Sequence, residues 1–287
     1  MLEPFPNVLL TAPHVVLFSI TEEPYENGNE EARYKHKFWL VPSKFNIALV
    51  TDTKNDKKVV LKLTANKPDF DHELEFLKAL NNSIAGKFVV ELKDSFVLSE
   101  GSSELRCCIV MERLGDNLHD FLSNNRDLNE PTRVALALEL VKAVEALHRE
   151  RVIHGDLKPH QLCFTRQPGI IALKLVDFDS ARRMQLPVAP LDRLTPMYAA
   201  PEVVRADAEG YLSTFAPTRG VESWPLGLML AQIFHSDMEA IFSNDEEAQE
   251  VLLGDDPMAI VKKRIKNSRE SIWRAVEGLL QMNPRER

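Results

Sequence analysis

Apolar residues cluster in short runs along the first half of the chain and recur every three to four positions along the second. In the first half, residues 14–20, 38–41, 47–50 and 59–63 predict strands. The polar stretch at residues 52–58 makes the last two a hairpin. Residues 88–92 and 105–112 predict two more strands. Near Pro68 the period changes. Phe70, Leu74 and Leu77 share one helical face, and Asp69 and Asp71 suit the positive end of a helix. In the second half, Asn129 is a candidate cap and Pro131 suits a first turn. Val134, Leu138, Val141 and Val144 then recur at helical spacing up to His148. Residues 224–234 and 272–282 predict further helices. The strand-rich portion ends near Leu114 and the helical portion begins near Asp116, so the turning point is Arg113-Leu114-Gly115.

Composition narrows the class. A chain of 287 residues accommodates one large two-lobed domain or two small ones. Its net charge of −8 argues against a general nucleic-acid binder. Cys107, Cys108 and Cys163 have neither disulfide-framework nor metal-ligand spacing, which points to a reducing, cytoplasmic or nuclear location. The apolar stretch at residues 8–20 is broken by Pro13 and His14 and is too short to span a bilayer, so no membrane insertion is expected. The start of the chain lacks the basic residues of a signal peptide.

The candidate chemistry lies in two acidic motifs. Asp156 and Lys158 sit in His154-Gly155-Asp156-Leu157-Lys158-Pro159, and a surface ion pair in a turn would explain that spacing as readily as catalysis. The apolar run at residues 171–176 then ends in Asp177-Phe178-Asp179. A carboxylate at a strand end, followed by an apolar aromatic, suits a bound cation. The two motifs resemble the His-Arg-Asp and Asp-Phe-Gly motifs of protein kinases. Further segments match in the family's order: Val59-Val60-Leu61-Lys62, Ile109-Val110-Met111-Glu112, the run from Thr195 through Pro196 to Glu202, Glu222-Ser223-Trp224-Pro225-Leu226-Gly227, and Asn283-Pro284-Arg285-Glu286-Arg287. The resemblance covers about residues 38–287.

It implies an α+β, bilobal fold: an N-terminal extension at residues 1–37, a small β-rich lobe with one key helix at 38–114, and a larger helical lobe at 115–287. It implies phosphoryl transfer from ATP with magnesium, or manganese in its place, to a protein substrate. Asp156 would orient the attacking hydroxyl, and Lys158 would neutralise charge on the moving phosphoryl group. Thr195 would hydrogen-bond both. Asp177 and Gln161 would hold the metal. Lys62 would hold the phosphates and pair with a helix glutamate; otherwise it is a solvated strand-edge lysine. Glu73 is preferred to Glu75 because it puts Leu77 one turn later, where the family packs a residue against the motif phenylalanine, here Phe178. Only 11 residues separate Lys62 from Glu73, which predicts a short or displaced helix. Adenine would contact Val41, Ala48, Val60, Met111, Glu112, Leu114 and Cys163. Lys158 and Thr195 resemble serine/threonine rather than tyrosine kinases.

Departures from the family pattern keep a second reading open. The three glycines of the phosphate-covering loop, placed at Val41, Ser43 and Asn46 with Phe45 as its aromatic, are missing. Gln161 stands where the family has asparagine, Asp179 where it has glycine, and Glu222 where it has aspartate. These favour a pseudokinase, a nucleotide-binding or scaffolding module without efficient catalysis; a small-molecule or lipid kinase is the remaining class. Gly155 removes the arginine that receives an activation-loop phosphate, and residues 181–194 contain no serine, threonine or tyrosine. Phosphorylation of that loop is therefore not the expected switch. The acidic stretch at residues 236–252 would suit basic substrates or form a solvated face.

Overall fold

The computed structural model describes residues 19–20, 34–42, 46–100, 104–186, 194–265 and 270–287. It combines an antiparallel sheet with a helical portion, an α+β architecture. The chain divides into two compact units: Met1–Leu74 with Glu91–Arg113, and Glu75–Val90 with Leu114–Arg287. Of the run at residues 14–20, only Ser19–Ile20 lies within the described residues.

The first unit is built on six strands: β1 (Ser19–Ile20), β2 (Tyr34–Pro42), β3 (Asn46–Asp52), β4 (Lys57–Thr64), β5 (Leu92–Glu100) and β6 (Glu104–Glu112). Their order is β1-β2-β3-β4-β6-β5. The β3–β4 turn closes on the Asp52 carboxylate, which accepts from Lys54 N–H and Asn55 Nδ2. One face of the sheet buries Ala48, Val50, Val59, Leu61, Cys108 and Val110 together. Side chains alternate across a strand, so Val60 and Lys62 point to the other face. In register, Leu49 opposes Val60 and Ala48 opposes Leu61. Cross-strand partners share a face. Ala48 therefore belongs to the apolar cluster, and the expectation that it lies with Val60 is corrected by one residue, to Leu49. Residues 43–45, and the Val41 side chain, lie outside the described part.

Helix α1 (Lys67–Asn81) follows β4 after two residues. Of the two expectations, a short or a displaced helix, the first does not hold: the helix is 15 residues long. Asn66 makes the tight entry possible: its Oδ1 accepts from Asp69 N–H and its backbone carbonyl from Phe70 N–H. Phe70, Leu74 and Leu77 are all buried.

Residues 88–92 are not a strand. A 3-10 turn covers Ile84–Phe88, and β5 begins only at Leu92. Val89 forms a parallel bridge to Leu175, and Val90 N–H donates to Leu175 O. The apolarity of Phe88, Val89 and Val90 reflects burial in the second unit, not membership of the sheet.

The second unit contains α2 (Leu118–Asn124), α3 (Glu130–Arg149), α4 (Pro201–Ala208), α5 (Arg219–Phe234), α6 (Asp245–Leu253), α7 (Pro257–Ile265) and α8 (Glu270–Leu279). Its short strands form two hairpin-like pairs: β7 (Val152–Ile153) with β10 (Arg182–Arg183), and β8 (Leu162–Phe164) with β9 (Leu173–Leu175). Helix α5 is buried almost end to end and packs against α3 and α8. Helix α3 starts with the Asn129 side chain accepting from Thr132 N–H. Its buried face is Leu136, Leu140, Ala143, Val144 and Leu147, whereas Val134, Leu138 and Val141 are exposed. Of the recurrence read from the sequence, Val144 lies on the buried face and the other three lie off it. A helix with apolar residues on more than one face gives a period but not its phase.

Candidate active site

Two backbone pairings in the second unit present the acidic motifs. The chain leaves β7 at Ile153 and reaches β8 at Leu162, and the loop between them carries Asp156, Lys158 and Gln161. Gln161 is anchored at both backbone ends, its N–H donating to Lys158 O (2.9 Å) and its O accepting from Val176 N–H (3.0 Å). The second bond places Asp177 directly after β9 and beside Gln161. Asp177 has left-handed backbone angles, φ 65° and ψ 72°, an uncommon conformation for a side-chain-bearing residue that turns its carboxylate out of the strand direction.

His154 stiffens this arrangement from within. It is fully buried, its Nε2–H donates to Val176 O (2.9 Å), and its ring tilts against Phe178 at 5.0 Å. Glu222, at the start of α5, holds the loop backbone: Oε1 accepts from His154 N–H and from Gly155 N–H (3.2 Å). Its other oxygen accepts from His148 Nε2–H at 2.9 Å. The longer carboxylate therefore braces the loop and also reaches α3. His148 was not singled out in the sequence, because no local motif links it to a residue 74 positions away.

Asp156, Lys158 and Thr195 form a closed triangle. Lys158 Nζ lies 2.6 Å from Asp156 Oδ2 and 2.8 Å from Thr195 Oγ1, and the Thr195 hydroxyl donates to Asp156 Oδ1 at 2.7 Å. Thr195 is in turn held by a turn in which Tyr198 and Ala199 N–H donate to its carbonyl. Asp245 of α6 caps that turn by accepting from Met197 N–H at 3.0 Å. This contact is a second residue the sequence did not reveal. It also shows that part of the acidic stretch is committed: Asp245 to this turn, and Glu247 to Arg264 and Ser243 N–H. Those two bonds pull the Glu247 carboxyl down to about 2. Gln161 Nε2 donates to Asp177 Oδ2 (3.1 Å) and Asp156 Oδ2 (3.3 Å). Asp179 accepts from the Ser180 hydroxyl.

Nearby, His160 stacks on His119 of α2 with ring centroids 4.1 Å apart. Partial burial, then the neighbouring His119 and Lys158, hold the His160 pKa below its ordinary value. Burial pushes the Cys163 thiol up to about 12.

In the first unit, Lys62 of β4 meets Glu73 of α1 at 2.8 Å, with both side chains almost wholly buried. Glu75 is exposed. Met111 is buried and Val60 half-buried. Glu112 N–H is committed to Glu91 O, and the Glu112 carboxylate accepts from Glu91 N–H. Leu114 and Cys163 belong to the second unit.

Asp177 offers a carboxylate of the kind magnesium takes, and Gln161, the other expected ligand, turns its amide nitrogen toward that carboxylate. Among the described residues no cluster of three or more His, Cys, Asp or Glu is arranged to hold a metal.

A family model described as "Protein kinase domain" matches residues 46–287. Curated relatives include the "Serine/threonine-protein kinase TIO" of Arabidopsis thaliana, 32% identical over 56% of this chain and 11% of that protein. The human "Dual specificity tyrosine-phosphorylation-regulated kinase 4" is 29% identical over 66% of this chain and 35% of its own length. "Cyclin-dependent kinase B2-2" of Arabidopsis thaliana is 28% identical over 60% and 50%. The chain spans at most half the length of these relatives.

Proposed function

Because the chain belongs to the protein kinase family, we propose that it transfers the terminal phosphoryl group of ATP to a serine or threonine hydroxyl of a protein substrate. The triangle of Asp156, Lys158 and Thr195 carries this reading. Asp156 Oδ1 or Oδ2 accepts the proton of the incoming hydroxyl, and Thr195 and Lys158 keep the carboxylate oriented. Lys158 offsets the negative charge on the transferring group. Asp177 with Gln161 would hold magnesium, whose charge neutralises the phosphate oxygens and aligns them. Lys62, held by Glu73, would take the remaining phosphate charge. With Glu112 N–H committed to Glu91, the adenine contact at that residue falls to its carbonyl.

A pseudokinase is the second reading, favoured by the missing glycines in the stretch that reaches β3. Backbone N–H groups approach phosphates closely where glycine removes the side chain. Their loss weakens the grip on the nucleotide. No helix among the described residues is long and apolar enough to cross a membrane. The cysteine spacing, which has no disulfide framework, is the basis for a reducing, cytoplasmic or nuclear location as part of the same proposal.

The test is phosphoryl transfer to protein substrates with magnesium or manganese ATP, comparing wild type with Asp156→Asn and Asp177→Asn. Transfer that falls at least about 100-fold in both variants supports the enzyme. Background transfer, equal in all three proteins, supports the pseudokinase. A rise in Tm with ATP would then show a nucleotide-binding module.

A further inference from the structure

Asp156 and Asp177 converge on one nitrogen. Gln161 Nε2 lies 3.1 Å from Asp177 Oδ2 and 3.3 Å from Asp156 Oδ2. The side chain is almost fully buried and its backbone is pinned at both ends. Freedom is therefore confined to the side-chain torsions, of which the last is soft and roughly two-fold. Two carboxylates sharing a small space repel each other. An amide oxygen turned toward them would add to that repulsion, whereas the NH2 group supplies two donors. Lys158 Nζ meets Asp156 Oδ2 as well, but its contacts run to Asp156 and Thr195. The Gln161 amide reaches both aspartates.

A divalent cation demands the opposite face of the amide, because it takes oxygen ligands. We propose that Gln161 is a built-in substitute for the cation: its amide nitrogen bridges Asp156 and Asp177 in the cation-free protein, and the amide turns over to offer oxygen when a cation enters. Gln161 is then a positioning residue that keeps the two carboxylates together without metal. Cation binding must displace its two hydrogen bonds. The inference rests on the reading that this site takes a divalent cation.

The experiment compares thermal unfolding of wild type and Gln161→Met, first in chelator and then with increasing Mg2+ or Mn2+. Methionine keeps length and flexibility but donates nothing. In chelator, Gln161→Met should unfold about 2–4 °C below wild type, the shift for loss of a modest interaction in a chain of this size. Added cation should change that gap, since in the wild type it exchanges the two hydrogen bonds of the amide for one oxygen ligand. Equal Tm values in chelator overturn the proposal. So does a gap that cation leaves unchanged while wild type itself is stabilised by cation. A cation response in neither protein overturns the divalent-cation reading itself, and the proposal with it. Should Gln161→Met fail to fold, side-chain 15N NMR of the wild-type chain gives the same answer. The Gln161 NH2 signals should be protected from exchange in chelator and should shift and lose protection with Mg2+. Signals that do not respond to Mg2+, in a protein whose Tm does, overturn it.

Discussion

Gly155 occupies the position where the family carries an arginine, and the backbone shows why a side chain does not belong there. Its φ is +84°, and a Cβ would lie 2.1 Å from Ser180 O. At Gly155 the loop of Asp156 and the turn after Asp177 approach each other backbone to backbone, and β7–β10 pairing continues that contact. Gly155→Ala should therefore destabilise by about 2–4 kcal/mol in urea unfolding, from combined backbone strain and overpacking. Gly155→Arg should not create a phosphate receptor, because the backbone must first move. The sequence reported the missing arginine; the close approach that excludes it depends on a residue 25 positions away. Cys163 is a second residue-scale case. With its thiol pushed up to about 12, only a minute fraction is thiolate at pH 8. Alkylation of the native protein should be far slower there than in the unfolded chain, as read by mass spectrometry.

At the scale of elements, existence and type were largely legible, and phase was not. Helix α3 was visible from its cap, its proline and its spacing. Which face it buries depends on α5, and the chain offers apolar residues on both. Leu140→Ala should cost about 2–5 kcal/mol in denaturant unfolding. Leu138→Gln, on the expected stripe, should change stability by no more than about 0.5 kcal/mol. Strand β3 shows the same limit. A one-residue slip in register exchanges the two faces of a strand, which is how Leu49 takes the place expected of Ala48. His160, stacked on His119 of α2, makes a pH-sensitive contribution. His160 has its pKa held below that of an unfolded-chain histidine, so the unfolded state takes the proton first. Its contribution is fully present above about pH 6.5 and is lost as pH falls through that value toward the folded pKa. His160→Gln should flatten the fall in Tm between about pH 7.5 and 5.5.

At the scale of the whole molecule, the proposed chemistry is distributed over two units, and long-range pairs hold each in order. In the first, Lys62 and Glu73 pair across the β4–α1 connection. In the second, Arg287 binds Glu202 with two bonds of 2.8 Å, donates to Gly220 O, and stacks over Trp224. The Arg287 side chain is fully buried. Arg287→Leu removes one partner of a buried pair and should cost about 3–5 kcal/mol, measured by urea unfolding. The ordered motifs of the sequence were enough to determine the family, the two-part α+β architecture and the aspartates, lysines and threonine on which activity is proposed to depend. Those features are local: a motif carries its residue types and spacing wherever the chain goes. Only the tertiary structure decided the buried face of α3, the register of β3, the reach of Glu222 to His148, the Asp245 cap and the Gln161 bridge. Each depends on how separate segments pack together, and a linear pattern does not record which partner a side chain meets.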